Sequence, residues 1–249
     1  MKKVKSLILR LILGFYAIVE EIIAFIFCTI LYPFKSTKLV RHKTDPGNKP
    51  DILCVHGYFH NDSPWSYFRR YLKSMGAGHV NTVYYHYLKQ DIPANSLMIK
   101  ERIDHIKKET GRDVNVLIGH SLGGLISLEY ALTYAPKDRL IYVITMGSPI
   151  HGTKLNSLGF GPCTKQMRLN CPYLLDLISR LKEAKHIRIL TIASNTDPLI
   201  IPQSSALLPE IPFAQCEEID MLGHLAFLFS KRTLKIIVEY LKKNKVLGD

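Results

Sequence analysis

Between Asp51 and Asp220 the chain repeats one alternation: a short apolar run rich in β-branched residues, then in most cases a stretch with helical spacing. The runs are DILCVH (51–56), VNTVYY (80–85), VNVLIG (114–119), LIYVITMG (140–147) and IRILTIAS (187–194), with a weaker one at AQCEEID (214–220). Strands that are apolar almost throughout are buried on both faces, and alternation with helices predicts a parallel sheet covered on both sides. A chain of 249 residues, 47% hydrophobic, can bury one such core without dividing. Ligands of these sheets bind beyond the carboxyl ends of the strands, so the loops that follow the runs are where chemistry is expected.

The helical patterns are SPWSYFRRYLKSM with a Ser cap, ANSLMIKERIDHIKKET stopping at Gly111, LGGLISLEYALTYAP stopping at Pro136, and SKRTLKIIVEYLKKN near the end. The third opens on IGHSLGGL (118–125), and its placement raises a choice. Ser121 is either a helix cap or a nucleophile on a sharp strand-to-helix turn. The preceding strand and following helix favour the turn, and Gly119 and Gly123 give strand and helix room to approach.

A serine hydroxyl attacks only when a base takes its proton and an acid orients that base. In this arrangement acid and base follow the serine in that order, each on a loop after a later strand. Asp197 in SNTDPLIIP and His224 in MLGHLAF stand at those places. Asp220, at the end of a strand, and Asp176, in a helical segment, are the competing acids. His120 and His151 are candidates to line the site. The developing oxyanion needs fixed donors, expected from the backbone N–H of Leu122 and, in the loop after DILCV, of Tyr58, with Gly57 allowing close approach. His56 and His60 lack the pattern and the third ligand of a metal pair, so no metal is read, and the chemistry calls for no cofactor.

The segment from Ser6 to Phe34 is long enough to cross a bilayer, yet carries Glu20 and Glu21, and a charge near the bilayer centre costs about 2.5–3.5 kcal/mol on insertion scales for Asp, Lys and Arg. Helical spacing gathers Lys3, Arg10 and Glu21 on one side, near Ser6, Gly14 and Ala17. That stripe suits a helix in the membrane interface, or a span whose stripe protein covers; the alternative is a helix packed on the globular part. Bulky ILYPF follows where a cleaved leader would have small residues, so residues 1–35 are read as a retained anchor. Residues 36–50 read as a basic linker and 51–249 as the catalytic domain.

The net charge of +12 is concentrated toward the two ends and favours an anionic membrane surface. No zinc-finger, RNP-like or basic-zipper pattern points to nucleic acid. Of five cysteines, Cys54 and Cys216 read as core strand residues; Cys163 and Cys171 read as free thiols, with pairing as the alternative.

With these residues placed, VHGYFHN, IGHSLGGL, TMGSPIHGTKL, SNTDPLIIP and LGHLAFLFS make the chain resemble the α/β-hydrolase lipases. The group it most resembles is bacterial and related to class 2 triacylglycerol lipases and PGAP-type hydrolases. The resemblance implies an α/β-hydrolase fold, a mostly parallel sheet covered by helices on both faces, with a short lid or cap at about 154–181. It implies Ser121 as nucleophile, Asp197 as acid and His224 as base, in agreement with their placement. The resulting expectation is a membrane-associated serine hydrolase cleaving lipid esters through an acyl-serine. The alternatives are a thioesterase or lipid acyltransferase with the same triad, and an inert membrane-bound scaffold.

Overall fold

All six apolar runs are strands. In the computed structural model, which describes residues 2–34, 47 and 49–248, they pair in parallel throughout in the order β2-β1-β3-β4-β5-β6. A long helix α1 (Lys2–Leu31) precedes β1 (Asp51–Val55), α2 (Trp65–Ser74), β2 (Val80–Val83), α3 (Ile92–Thr110), β3 (Val114–His120) and α4 (Leu122–Thr133). Then follow β4 (Ile141–Met146), α5 (Pro162–Gln166), α6 (Pro172–Glu183), β5 (Ile187–Ser194), β6 (Ala214–Ile219) and α7 (Lys231–Lys243). The expected linker 36–50 lies outside the described residues except for Gly47, Lys49 and Pro50.

Two cores, one on each face of the sheet, follow from strands that are apolar on both sides. Leu53, Leu117, Val143 and Ile189 point into one core with α3, α4 and α6. Ile52, Val116, Ile118 and Ile144 point into the other with α2 and α7. β6 closes the sheet as an edge strand, so Cys216 is half-exposed rather than the core residue its strand position predicted. Cys163 and Cys171 are both free thiols, and the Cys163 Sγ–H donates to the carbonyl of Gln90.

Helix ends obey local chemistry with two departures. α3 starts two residues earlier than its apolar pattern, because Asp91 caps it by accepting the N–H of Ala94 at 2.9 Å; Gly111 ends it at φ 70°. Ser63 does not cap α2: its hydroxyl is drawn instead to the side-chain oxygen of Asn61, 2.6 Å away. Ser230 does cap α7. The 154–181 segment is a short 3₁₀ turn (Lys154–Leu158) followed by α5 and most of α6.

Within α1, Leu13–Leu31 is long and apolar enough to cross a membrane. Ala17, Ala24 and Cys28 are buried, while Phe15, Ile18, Phe25 and Ile30 are 58–65% exposed. The helix therefore rests on the domain along a narrow stripe of small residues and presents a broad apolar surface outward. Of the stripe expected from the sequence, Ala17 and Glu21 lie on the docked side, and the side chains of Lys3, Ser6 and Arg10 fall outside the described ones.

The approach of α4 to the sheet allows no side chain at its first turn. A Cβ on Gly123 would stand 2.2 Å from the Val55 carbonyl oxygen and 2.4 Å from that of His56. Both are backbone atoms in a central strand and the loop after it, so Gly123→Ala should cost at least about 2–3 kcal/mol, or roughly 5 °C or more in Tm. Thermal denaturation followed by circular dichroism measures it.

Candidate active site

Four loops at the carboxyl ends of the strands meet above the sheet. Ser121 stands between β3 and α4 at φ 55° and ψ −124°, a conformation rare for a residue with a side chain and a store of strain. It is held there by its own N–H, which donates to the Met146 carbonyl (2.9 Å), and by its carbonyl, which accepts from Gly124 (3.0 Å). Gly119 is as tightly confined as Gly123, since a Cβ there would meet the Gly124 nitrogen at 2.4 Å. The strand-to-helix turn thus leaves the serine no alternative backbone position.

Asp197 follows β5 and His224 follows β6. One Asp197 oxygen lies 2.7 Å from His224 Nδ1; the other accepts the N–H groups of Leu199 (2.8 Å) and Ile200 (3.2 Å). Both side chains are buried. With Nδ1 donating to the carboxylate, Nε2 carries the free lone pair. His224 and Ser121 line the same cavity, of about 680 Å³. The competing acids are elsewhere: Asp220 accepts from the side-chain amide of Asn195, and Asp176 pairs with Arg180 on the exposed face of α6.

The loop after β1 closes a further side. A Cβ on Gly57 would stand 3.0 Å from the Ser121 Cβ, so only glycine lets this loop lie against the serine, and Tyr58 joins the cavity wall. Leu122, as the first residue of α4, has an N–H that the helix itself cannot satisfy. The Tyr58 hydroxyl reaches over to the 154–181 segment, accepting the N–H of Phe160 at 2.7 Å and donating to its carbonyl. Under that segment lies a second cavity of about 180 Å³, also bordered by Ser121 and His224 and lined by Thr153, Asn156 and Thr164.

Among the histidines the structure separates roles that the sequence left together. His120 lies 4.7 Å from the His224 ring and gives Nε2 to the His224 carbonyl at 2.9 Å. His151 lines neither cavity beside Ser121; it turns outward to Glu210, 2.7 Å away. Burial pushes His60 down to about 4 and His56 to about 3, and drives His120 well below the usual imidazole range. Burial also works against a charge on His224, but the charge of Asp197, its hydrogen bond and the charge of Glu21 outweigh it and raise its pKa. One imidazole of the cluster is therefore biased toward taking a proton, while its neighbours stay neutral.

Three contributors escaped the sequence reading. Glu21 of α1 accepts the N–H groups of Leu225 and Ala226, both at 3.0 Å, and so grips the loop that carries His224. Gly223 makes room for it, since a Cβ there would stand 2.2 Å from the Glu21 carboxylate. Gly147, at φ 55°, lies beneath the pair, and a Cβ would come within 3.0 Å of Asp197 Oδ2 and 3.3 Å of His224 Nδ1. Its place in TMGSP was a signal; nothing local marks the other two.

The profile of the Alpha/beta hydrolase family matches residues 52–181, more than half of the chain. No match is found among curated protein sequences. Among solved structures, mature Bacillus licheniformis lipase BlEst2 is similar with a TM-score of 0.64 at 17% identity, over 82% of this chain and 96% of that one. Aspergillus fumigatus lipase B gives 0.68 at 19%, over 82% and 55%. Phospholipase PlaB from Legionella pneumophila gives 0.51 at 15%, over 59% and 40%. At these identities the likeness is one of fold.

The balance of charges at His224 has a direct readout. Its ring protons, followed by NMR, should titrate above the usual imidazole value, and Glu21→Gln, which removes one of the raising charges, should move that midpoint down. A midpoint that stays in place would mean that Glu21 is not felt at the ring.

Proposed function

The chain belongs to the alpha/beta hydrolase family, and from that premise we propose that it is a membrane-associated serine hydrolase of lipid carboxylic esters. The observation that carries this reading is a serine in a strained strand-to-helix turn sharing one cavity with a buried histidine, whose Nδ1 is held 2.7 Å from an aspartate. Ser121 Oγ attacks the ester carbonyl as His224 Nε2 takes its proton. The backbone N–H groups of Leu122 and Tyr58 receive the oxyanion. The C–O bond to the alcohol then breaks, the His224 proton leaves with that alcohol, and an acyl-Ser121 remains. Water, deprotonated by the same imidazole, releases the acid and restores the serine. Asp197 holds the ring in the required tautomer and stabilises its charged form.

Lipid as the substrate class is supported by the apolar walls of the large cavity and by the exposed apolar face of α1. Residues 1–35 serve as the anchor in this reading, and the segment at 154–181 as the cover. The exposed cations Lys231, Arg232 and Lys235 of α7 favour anionic headgroups, and Arg232 lies 3.6 Å from Glu20 at the helix that would enter the membrane.

A fluorophosphonate probe should label the wild type in the membrane fraction and leave Ser121→Ala unlabelled with its fold intact by circular dichroism. Equal labelling of both would sink the assignment of the nucleophile. Turnover should also favour lipid esters in vesicles or emulsions over short soluble esters, and the reverse preference would remove lipid as the substrate class.

A further inference from the structure

Across the large cavity, the wall that faces Ser121 and His224 is α1 with the 3₁₀ turn Tyr32–Phe34 that continues it. Phe25, Cys28, Thr29 and Tyr32 border the space, with Leu199 and Leu225 on the domain side. The charge in this wall, Glu21, is already engaged by the two backbone donors after His224. What remains for a ligand is mostly hydrocarbon, and about 680 Å³ lies within the range of cavities that enclose a small ligand.

This wall is fixed to the catalytic loops at two points. At one, Glu21 grips the His224 loop. At the other, the Asn61 side-chain amide, in the loop that also carries Tyr58, donates to the Tyr32 carbonyl at 2.8 Å. Between them, Ala24 and Cys28 pack into the core that holds Phe227 and Leu228. A helix that served only as a tether would need none of these ties. The opposite side of the same helix exposes Ile23, Ile26 and Ile30.

We propose that α1 is a wall of the reaction chamber, and that the cavity between it and Ser121 takes the acyl chain of a membrane lipid. The chain would arrive along the helix without crossing water. The inference rests on the serine-hydrolase reading and deepens it, because it assigns chain-length specificity to residues of the proposed anchor. Thr29 is exposed and borders the cavity, so a larger side chain there narrows the space without removing a core contact. Ile26 is exposed on the same helix and borders no cavity beside Ser121.

The test uses the full-length protein in mixed micelles, with p-nitrophenyl esters from butanoyl to palmitoyl. Thr29→Trp should lower the ratio of kcat/KM for palmitoyl over butanoyl roughly tenfold, the scale at which a pocket discriminates a few methylenes. Ile26→Trp should leave that ratio where it is in the wild type. Fluorophosphonate labelling of all three proteins runs in parallel. If Thr29→Trp is labelled like wild type but keeps the wild-type ratio, or both variants lower it equally, the chain-binding wall is overturned while the nucleophile stands. If the wild type itself carries no label on Ser121, the hydrolase reading fails and the wall with it.

Discussion

The backbone contact between α4 and the strands beneath it determines the rest of this site. Because Gly123 lies against the carbonyls of Val55 and His56, and Gly119 against the first turn of α4, the chain between them cannot relax. Ser121 takes a left-handed backbone as a consequence, and the loop after β1 comes to rest against it through Gly57. Strain at the serine is sustained by two hydrogen bonds of its own peptide groups and by the packing of a helix buried almost all round. The position of Ser121 and the places of the Leu122 and Tyr58 N–H groups proposed as oxyanion donors are thus one geometric fact rather than two.

A carboxylate in an apolar helix looks like an obstacle from the sequence, and its partner explains why it is tolerated. Glu21 is stabilised by two charge-assisted hydrogen bonds from N–H groups at the start of a 3₁₀ turn, Ala226–Leu228. Bonds of this kind contribute about 1.5–3 kcal/mol each, comparable to the insertion cost of a charged residue, so the docked carboxylate comes close to balance. Docking also turns the charge away from the outward apolar face. The same two bonds order the residues that follow His224, which ties the orientation of that side chain to the position of a helix more than two hundred residues earlier.

What could be read from the sequence follows the range of the physics involved. Strands and helices declare themselves through neighbouring residues, and all six runs and the main helices stand where their periodicity predicted. Ser121, Asp197 and His224 were legible because each follows a strand in a fixed order, and the structure brings those three side chains to one place. The failures are long-range. Ser63 had a competing partner in Asn61, Cys216 depended on which strand lies at the edge, and His151 depended on where Glu210 falls. Glu21 was legible only as a cost, since its benefit lies in backbone donors that no pattern near residue 21 announces.

Two cavities share Ser121 and His224 and are walled by different elements. The larger is bounded by α1, and the smaller lies beneath the segment that Tyr58 clasps at Phe160. Both linings are mostly apolar, so the two spaces differ in their walls rather than in their polarity. In the proposed reaction an ester presents two groups to Ser121, an acyl chain and an alcohol, and two cavities meeting at the serine give each group its own side. With the acyl chain on the α1 side, as proposed above, the alcohol would leave beneath the 154–181 segment. The helix proposed as the anchor would then also keep the hydrocarbon of the acyl-serine out of water while its ester bond is hydrolysed.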